Sequence, residues 1–304
     1  MIKPKRLKFK DTIGIVAPAG IFSKNLFFKG VEKIKSAGFN VKFSPKVFDR
    51  SGVCAGTAPD RAAQLNEMFA DKSVKAIFCA KAGSGTGRII SYLDKEIIRK
   101  NPKIIVGYSD ITILLTYLNV NCNMVVFHGP IVAGEIFPGM AKDTQEQLFS
   151  LLTHGGKDHL LHKDFDYIKE GYAEGLLVGG NLSRIISTLN KKWAIKTEGS
   201  ILFTEDIDVS LRDVMRMFGQ LKSAGKLSRL KGFVFGQIRD RARNPLSKKN
   251  LKKIVEKMFP EDNLPVIFGI SSGHGKNNLA MPLGVKVSID TNKRIMLLKE
   301  SPVS

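Results

Sequence analysis

Apolar positions along the first 130 residues of the chain switch repeatedly between two periods. The β-branched runs TIGIVAP (12–18), NVKFSP (40–45), VKAIFCA (74–80), KIIVG (103–107) and MVVFHGP (124–130) are short enough for strands. Between them, NLFFKGVEKIKSAG (25–38), PDRAAQLNEMFAD (59–71), TGRIISYLD (86–94) and DITILLTYLNV (110–120) place apolar residues at helical spacing. Such βα alternation predicts an α/β domain built on a mostly parallel sheet covered by helices. From 135 the pattern loosens into EIFPGMAKD, a helix TQEQLFSLL (144–152) and the polar stretch HGGKDHLLHKDFDYIKEG. Residues 141–172 therefore read as a linker between an N-terminal domain, 1–140, and a second domain, 173–304. In the second domain, strands EGLLVGGN (174–181), SILFTED (200–206), GFVFGQ (232–237) and PVIFGI (265–270) are separated by helices over 182–190, 209–225 and 247–258. A closing strand pair, VKVSID and RIMLLKE, turns at TNK, so this domain is expected to be mixed and richer in strand.

Ligands in parallel sheets sit beyond the carboxyl ends of the strands, and three loops leave such ends: AKAGSGTGR, GYSD and HGP. Ser109, in GYSD, stands on a strand-to-helix turn. There it, or Asp110, can cap the following helix, or its hydroxyl can act as a nucleophile with helix N-terminal N–H groups receiving the oxyanion. A serine nucleophile needs a base, and the chain has five histidines. His274, flanked by Gly273 and Gly275 in SSGHGKNN, has no apolar neighbours to pack against and is the candidate base. His128, before Gly129 and Pro130, is placed to support a loop or a neighbouring side chain. His154, His159 and His162, near Asp158 and Asp164, lack zinc spacing and read as solvated linker residues. Glu205 and Asp206 end an apolar strand, where an acid can orient the base. The loop Gly83-Ser84-Gly85-Thr86-Gly87 resembles a phosphate cradle, but its spacing fits neither GxGxxG nor a P-loop; its N–H groups can equally serve an oxyanion.

Composition alters this picture little. With 43% hydrophobic and 25% charged residues over 304 positions, the chain is that of a globular protein with room for two cores. The N-terminal apolar stretch, Ile13 to Ala17, is too short for a signal peptide or a membrane span, so a cytoplasmic location is expected. Cys54, Cys79 and Cys122 form no CxxC pair and suggest neither disulfide nor zinc; they read as small core or loop residues. Lys and Arg outnumber Asp and Glu by 48 to 28, a formal charge of +20. The basic residues are dispersed, without a nucleic-acid-binding signature, so a nucleotide- or nucleic-acid-binding protein using the glycine loop is the weaker alternative. A positive field would draw in an acidic substrate.

Motifs in one order across both halves then converge: IGIVAPAG (13–20), DRAAQLNEMFAD (60–71), NPKIIVGYSDIT (101–112), FHGP (127–130), GLLVGGNLS (175–183), ILFTEDI (201–207) and SSGHGKNNLAMPLGV (271–285). The chain resembles the serine LD-carboxypeptidases, which include muramoyltetrapeptide carboxypeptidases and peptidases conferring immunity to microcin C. The resemblance implies a Rossmann-like N-terminal domain joined to a β-rich C-terminal domain, usually as a homodimer. It implies Ser109 as nucleophile, His274 as base, Glu205 as its orienting acid, and an oxyanion hole from the backbone N–H groups of Gly83 and Asp110. Ser84, His128 and Arg216 are the residues expected to line or support the substrate site. The implied reaction releases D-alanine from diaminopimelate in murein tetrapeptide during peptidoglycan recycling, without metal or cofactor. The alternative within the family is cleavage of a microcin-type peptide-nucleotide. Two departures bear on specificity: the family's RGGYG-like loop is here Lys81-Ala82-Gly83-Ser84-Gly85, and past Glu205 its acid, tyrosine and Asp-Arg pattern is thinned to VSLRDVMR, leaving Arg216 as the nearest counterpart.

Overall fold

Strands that are buried on both faces can be continuous apolar runs, and that is how the inner strands of the first half of the chain are built. In the computed structural model, which describes all residues except 135, 136, 138, 261 and 262, the strands are β1 (Thr12–Val16), β2 (Asn40–Phe43), β3 (Val74–Cys79), β4 (Ile104–Gly107) and β5 (Val126–His128). Part of the irregular EIFPGMAKD stretch thus lies outside the described residues. Helices α1 (Lys24–Ser36), α2 (Ala58–Ala70), α3 (Thr86–Ile89), α4 (Lys95–Lys100), α5 (Thr112–Asn121) and α6 (Lys142–Thr153) accompany them. The single helix expected over 86–94 is broken: after α3 comes a 3-10 turn, Leu93 is extended, and Asp94 caps α4 by accepting the Ile97 N–H at 2.9 Å.

The polar stretch expected as a linker carries structure of its own. Alongside α6 it holds β6 (Leu160–Lys163) and β7 (Asp166–Lys169), which become the two edges of the second sheet. The remaining elements are β8 (Tyr172–Asn181), α7 (Leu182–Ser187), β9 (Ser200–Asp206), α8 (Leu211–Ser223), β10 (Gly232–Ile238), α9 (Lys248–Met258), β11 (Val266–Phe268), β12 (Met281–Leu283), β13 (Lys286–Asp290) and β14 (Ile295–Leu298). The second sheet runs β6-β14-β13-β8-β9-β10-β11-β7; β8 to β11 pair in parallel and the outer strands pair antiparallel. The first sheet runs β12-β5-β4-β3-β1-β2. The expected α/β class, with a parallel-dominated sheet and a second mixed sheet, is borne out.

Strand β12 was not legible in the sequence, yet it has a structural role in both halves. It leaves the second half of the chain, crosses to the first sheet and pairs antiparallel with β5, with Met281 opposite His128 and Leu283 opposite Val126. Packing is shared in the same way. On β9, Ile201 and Phe203 join the core of the first domain, while Leu202 faces α7, α8 and α9 among Val214, Phe218, Leu221, Ile254 and Val255. The period-two alternation thus divides one strand between two cores, and each fully buried Phe or Ile contributes about 1.5–3 kcal/mol. The basic start of the chain is also tied in: the Leu7 N–H donates to the Leu152 carbonyl at 2.8 Å, and Lys3 pairs with Glu300 at 2.7 Å.

Candidate active site

At the carboxyl end of β4 the chain turns sharply. Tyr108 is extended, and Ser109 takes φ +61°, a left-handed conformation that side-chain-bearing residues rarely adopt, before a 3-10 turn leads into α5. This turn presents the half-buried Ser109 hydroxyl toward the loop between β11 and β12, which carries His274. That loop is anchored at each end in a different sheet. It is fixed further by the Gly273 N–H, which donates to Asn278 Oδ1 at 2.8 Å, and the Ser271 N–H, which donates to His162 Nε2 at 3.3 Å.

His274 Nε2 lies 3.0 Å from Ser109 Oγ, and His274 Nδ1 lies 2.6 Å from Glu205 Oε2. Glu205, at the end of β9, is wholly buried, and its other oxygen receives the Asn181 side-chain amide at 3.2 Å and faces His128 Nε2 at 3.4 Å. His128 Nδ1 in turn faces the Ser272 hydroxyl at 3.5 Å, and the Tyr108 ring packs against both His128 and His274. One carboxylate therefore sits between two imidazoles. Burial alone would push the Glu205 carboxyl up, but the charges and hydrogen bonds of His274 and His128 outweigh it and hold the group well below the usual carboxylate range. For His274, burial favours the neutral ring, yet the Glu205 charge and hydrogen bond, with Asp206 and Asp208 behind them, raise it above the ordinary 6.5. Burial raises the neighbouring Asp206 carboxyl, against bonds from Ser183 and Ile207.

Across from Ser109 lies the glycine loop. Gly83 has φ +111°, and it and Ser84 are exposed at the rim; the Ser84 carbonyl receives the Cys54 thiol at 3.5 Å. The Asp110 carboxylate, almost fully buried, accepts the Thr86 N–H at 3.0 Å and pairs with Arg184 Nε at 3.1 Å. An anion thus already occupies the start of α3, the position that a phosphate cradle would reserve for its ligand. Arg216 does not join this cluster: among the described residues its partner is Asp213, on the same helix at 3.8 Å.

Of the residues nominated from sequence, the structure brings together Ser109, His274, Glu205 and His128, with Gly83, Ser84 and Asp110 alongside. His162, expected as a solvated linker residue, is instead a half-buried residue of β6 holding the His274 loop. His154 is exposed at the end of α6, and among the described residues no group of three metal-ligating side chains converges. Cys54, Cys79 and Cys122 are buried and unpaired. Sequence reading passed over Asn181 and Arg184; the one signal for them was an asparagine between a strand and an apolar helical run, the pattern of an N-cap.

Comparison with known proteins defines the class: this is a carboxypeptidase-type hydrolase. The chain belongs to the LD-carboxypeptidase family, matching its N-terminal domain over residues 13–129 and its C-terminal domain over 174–289. It is 34% identical to a probable murein peptide carboxypeptidase of Bacillus subtilis, an alignment covering 98% of this chain and 94% of that protein. It is 27% identical to the microcin C7 self-immunity protein MccF of Escherichia coli, over 95% of this chain and 94% of that one. The structure of MccF in complex with glutamyl sulfamoyl guanosine superposes with a TM-score of 0.90 at 25% identity, covering 100% of both chains.

Proposed function

We propose that the protein is a serine LD-carboxypeptidase that hydrolyses the L,D bond between diaminopimelate and the terminal D-alanine of murein tetrapeptide. The observation that carries this reading is the hydrogen-bonded chain from Ser109 through His274 to Glu205, with links of 3.0 and 2.6 Å, at the carboxyl ends of strands from two sheets. His274 takes the proton of the Ser109 hydroxyl as Oγ attacks the carbonyl carbon. Ionised Glu205 holds the imidazole by Nδ1 and stabilises the imidazolium as it forms. The tetrahedral oxyanion lies against the N–H groups of Gly83 and Asp110. His274 then protonates the leaving amine of D-alanine, and water, activated by the same imidazole, releases the acyl group.

The name of the Bacillus subtilis relative supports a murein peptide as substrate. The second reading, a microcin-type peptide-nucleotide, is favoured by the end-to-end likeness to MccF bound to glutamyl sulfamoyl guanosine. A place in peptidoglycan recycling, as a cytoplasmic homodimer, goes with the murein reading; no helix among the described residues is long and apolar enough to cross a membrane.

The test is release of D-alanine from L-Ala-D-Glu-mDAP-D-Ala, run beside a peptide-nucleotide substrate. Ser109→Ala is expected to lower kcat/KM by about a millionfold while leaving the fold intact. Undiminished release would overturn the assignment of the nucleophile, and turnover of the peptide-nucleotide alone would move the substrate to the second reading.

A further inference from the structure

The buried network around Glu205 reaches the glycine loop through a single side chain. Asn181, buried at the end of β8, accepts the Arg184 backbone N–H at 3.2 Å and donates from its amide nitrogen to Glu205 at 3.2 Å and Asp206 at 3.0 Å. Its own backbone N–H donates to Thr112 Oγ1, at the start of α5, at 3.0 Å. The first turn of α7 is thereby pinned between the acids of β9 and the helix that follows Ser109. From that fixed base Arg184 extends to the opposite domain. Its Nε lies 3.1 Å from Asp110 Oδ1 and its Nη2 lies 3.5 Å from the Gly83 carbonyl oxygen, while the second Asp110 oxygen accepts the Thr86 N–H at 3.0 Å. One guanidinium and the carboxylate it pairs with thus join the residue after the serine, the tip of the glycine loop and the helix that the loop enters.

Gly83 and Asp110 are the residues whose N–H groups the proposed mechanism assigns to the oxyanion. Such donors act only when held at hydrogen-bond distance from the oxygen of the transition state, and an exposed glycine with φ +111° is poorly constrained by its own conformation. A planar guanidinium fixes both the distance and the direction of two acceptors, which an ammonium cannot do. We propose that Arg184 is the positioning residue of the oxyanion site, setting from the opposite domain the gap between the N–H groups of Gly83 and Asp110. The inference rests on the serine-hydrolase reading above. The charge of Arg184 is already matched by the buried Asp110 carboxylate, which favours this role over capture of the substrate's terminal carboxylate.

Arg184→Lys keeps a cation beside Asp110 without the fork, and Arg184→Ala removes both. In each, kcat for D-alanine release should fall about ten- to a hundredfold with KM unchanged, as expected when reacting groups are misplaced by a fraction of an ångström to an ångström. The Lys variant should melt with the wild type. A second readout uses a small phosphonofluoridate with no terminal carboxylate. Ser109 Oγ bonds to phosphorus as the P–F bond breaks, fluoride leaves, the hydroxyl proton passes to His274, and the phosphoryl oxygen takes the oxyanion position. Labelling of Ser109 should slow in both variants by the same factor as kcat. Raised KM with kcat and labelling unchanged would overturn the proposal and assign the guanidinium to substrate binding, and no change in any quantity would overturn it outright. If the wild type is labelled at Ser109 but releases no D-alanine, the substrate reading fails while the labelling rates still decide the role of Arg184. A wild type that is not labelled at Ser109 overturns both.

Discussion

Ser109, His274 and Glu205 come from segments 96 and 69 residues apart, and their environments differ more than their spacing suggests. In the proposed mechanism His274 must be neutral to accept a proton, and Glu205 raises its pKa above the ordinary 6.5. A raised value keeps the ring protonated to higher pH, so kcat/KM should climb as pH rises through a midpoint above 6.5 and be lost below it; a pH–rate profile reads this directly. Glu205→Gln removes the charge that raises His274, so the acid limb should move to lower pH while kcat falls by about ten-thousandfold. Gly273 is a sharper structural test. It has φ +111°, and a Cβ there would stand 2.5 Å from Glu205 Oε2, so Gly273→Ala should abolish turnover by displacing the acid or the His274 loop, with far-ultraviolet circular dichroism preserved. How much of this site was legible follows from what each residue shows locally. Ser109 and His274 announce themselves by glycine-bounded loops, whereas Asn181 and Arg184 look like an ordinary cap and an ordinary surface arginine. Their importance arises from which strand and loop the fold brings beside them.

The strands and helices of the parallel layers were legible because burial on both faces writes continuous apolar runs, and helices with one buried face write a 3.6 period. The edge strands of the second sheet carry no such mark. β6 and β7 have mostly exposed or half-exposed side chains and include His162, Lys163, Asp166 and Lys169, so their pattern is that of a polar linker. β12 is three residues long and contains a proline, below the length at which periodicity can be read. Within the second sheet, β8 lies so close to β9 that a Cβ at Gly179, where φ is +142°, would stand 1.8 Å from the Phe203 carbonyl oxygen. Gly179→Ala should therefore force the two strands apart and cost about 3 kcal/mol or more, seen as a lowered midpoint in urea unfolding.

At the scale of the whole molecule, the division into halves is crossed repeatedly: by β12, by the shared core around Phe203, by Arg184, and by the bond from the Ser304 N–H to the Pro4 carbonyl at 2.9 Å. Such interlocking predicts a single cooperative transition in calorimetry, with calorimetric and van't Hoff enthalpies in agreement; two resolved transitions would show the halves to be independent. The course of β12 also bears on synthesis. A growing chain has exposed its serine long before residue 274 is made, and the His274 loop gains its second anchor only when residues 281–283 reach β5. A ribosome-bound or proteolytically shortened chain should therefore carry no hydrolytic activity, and the cell is not exposed to a half-made peptidase.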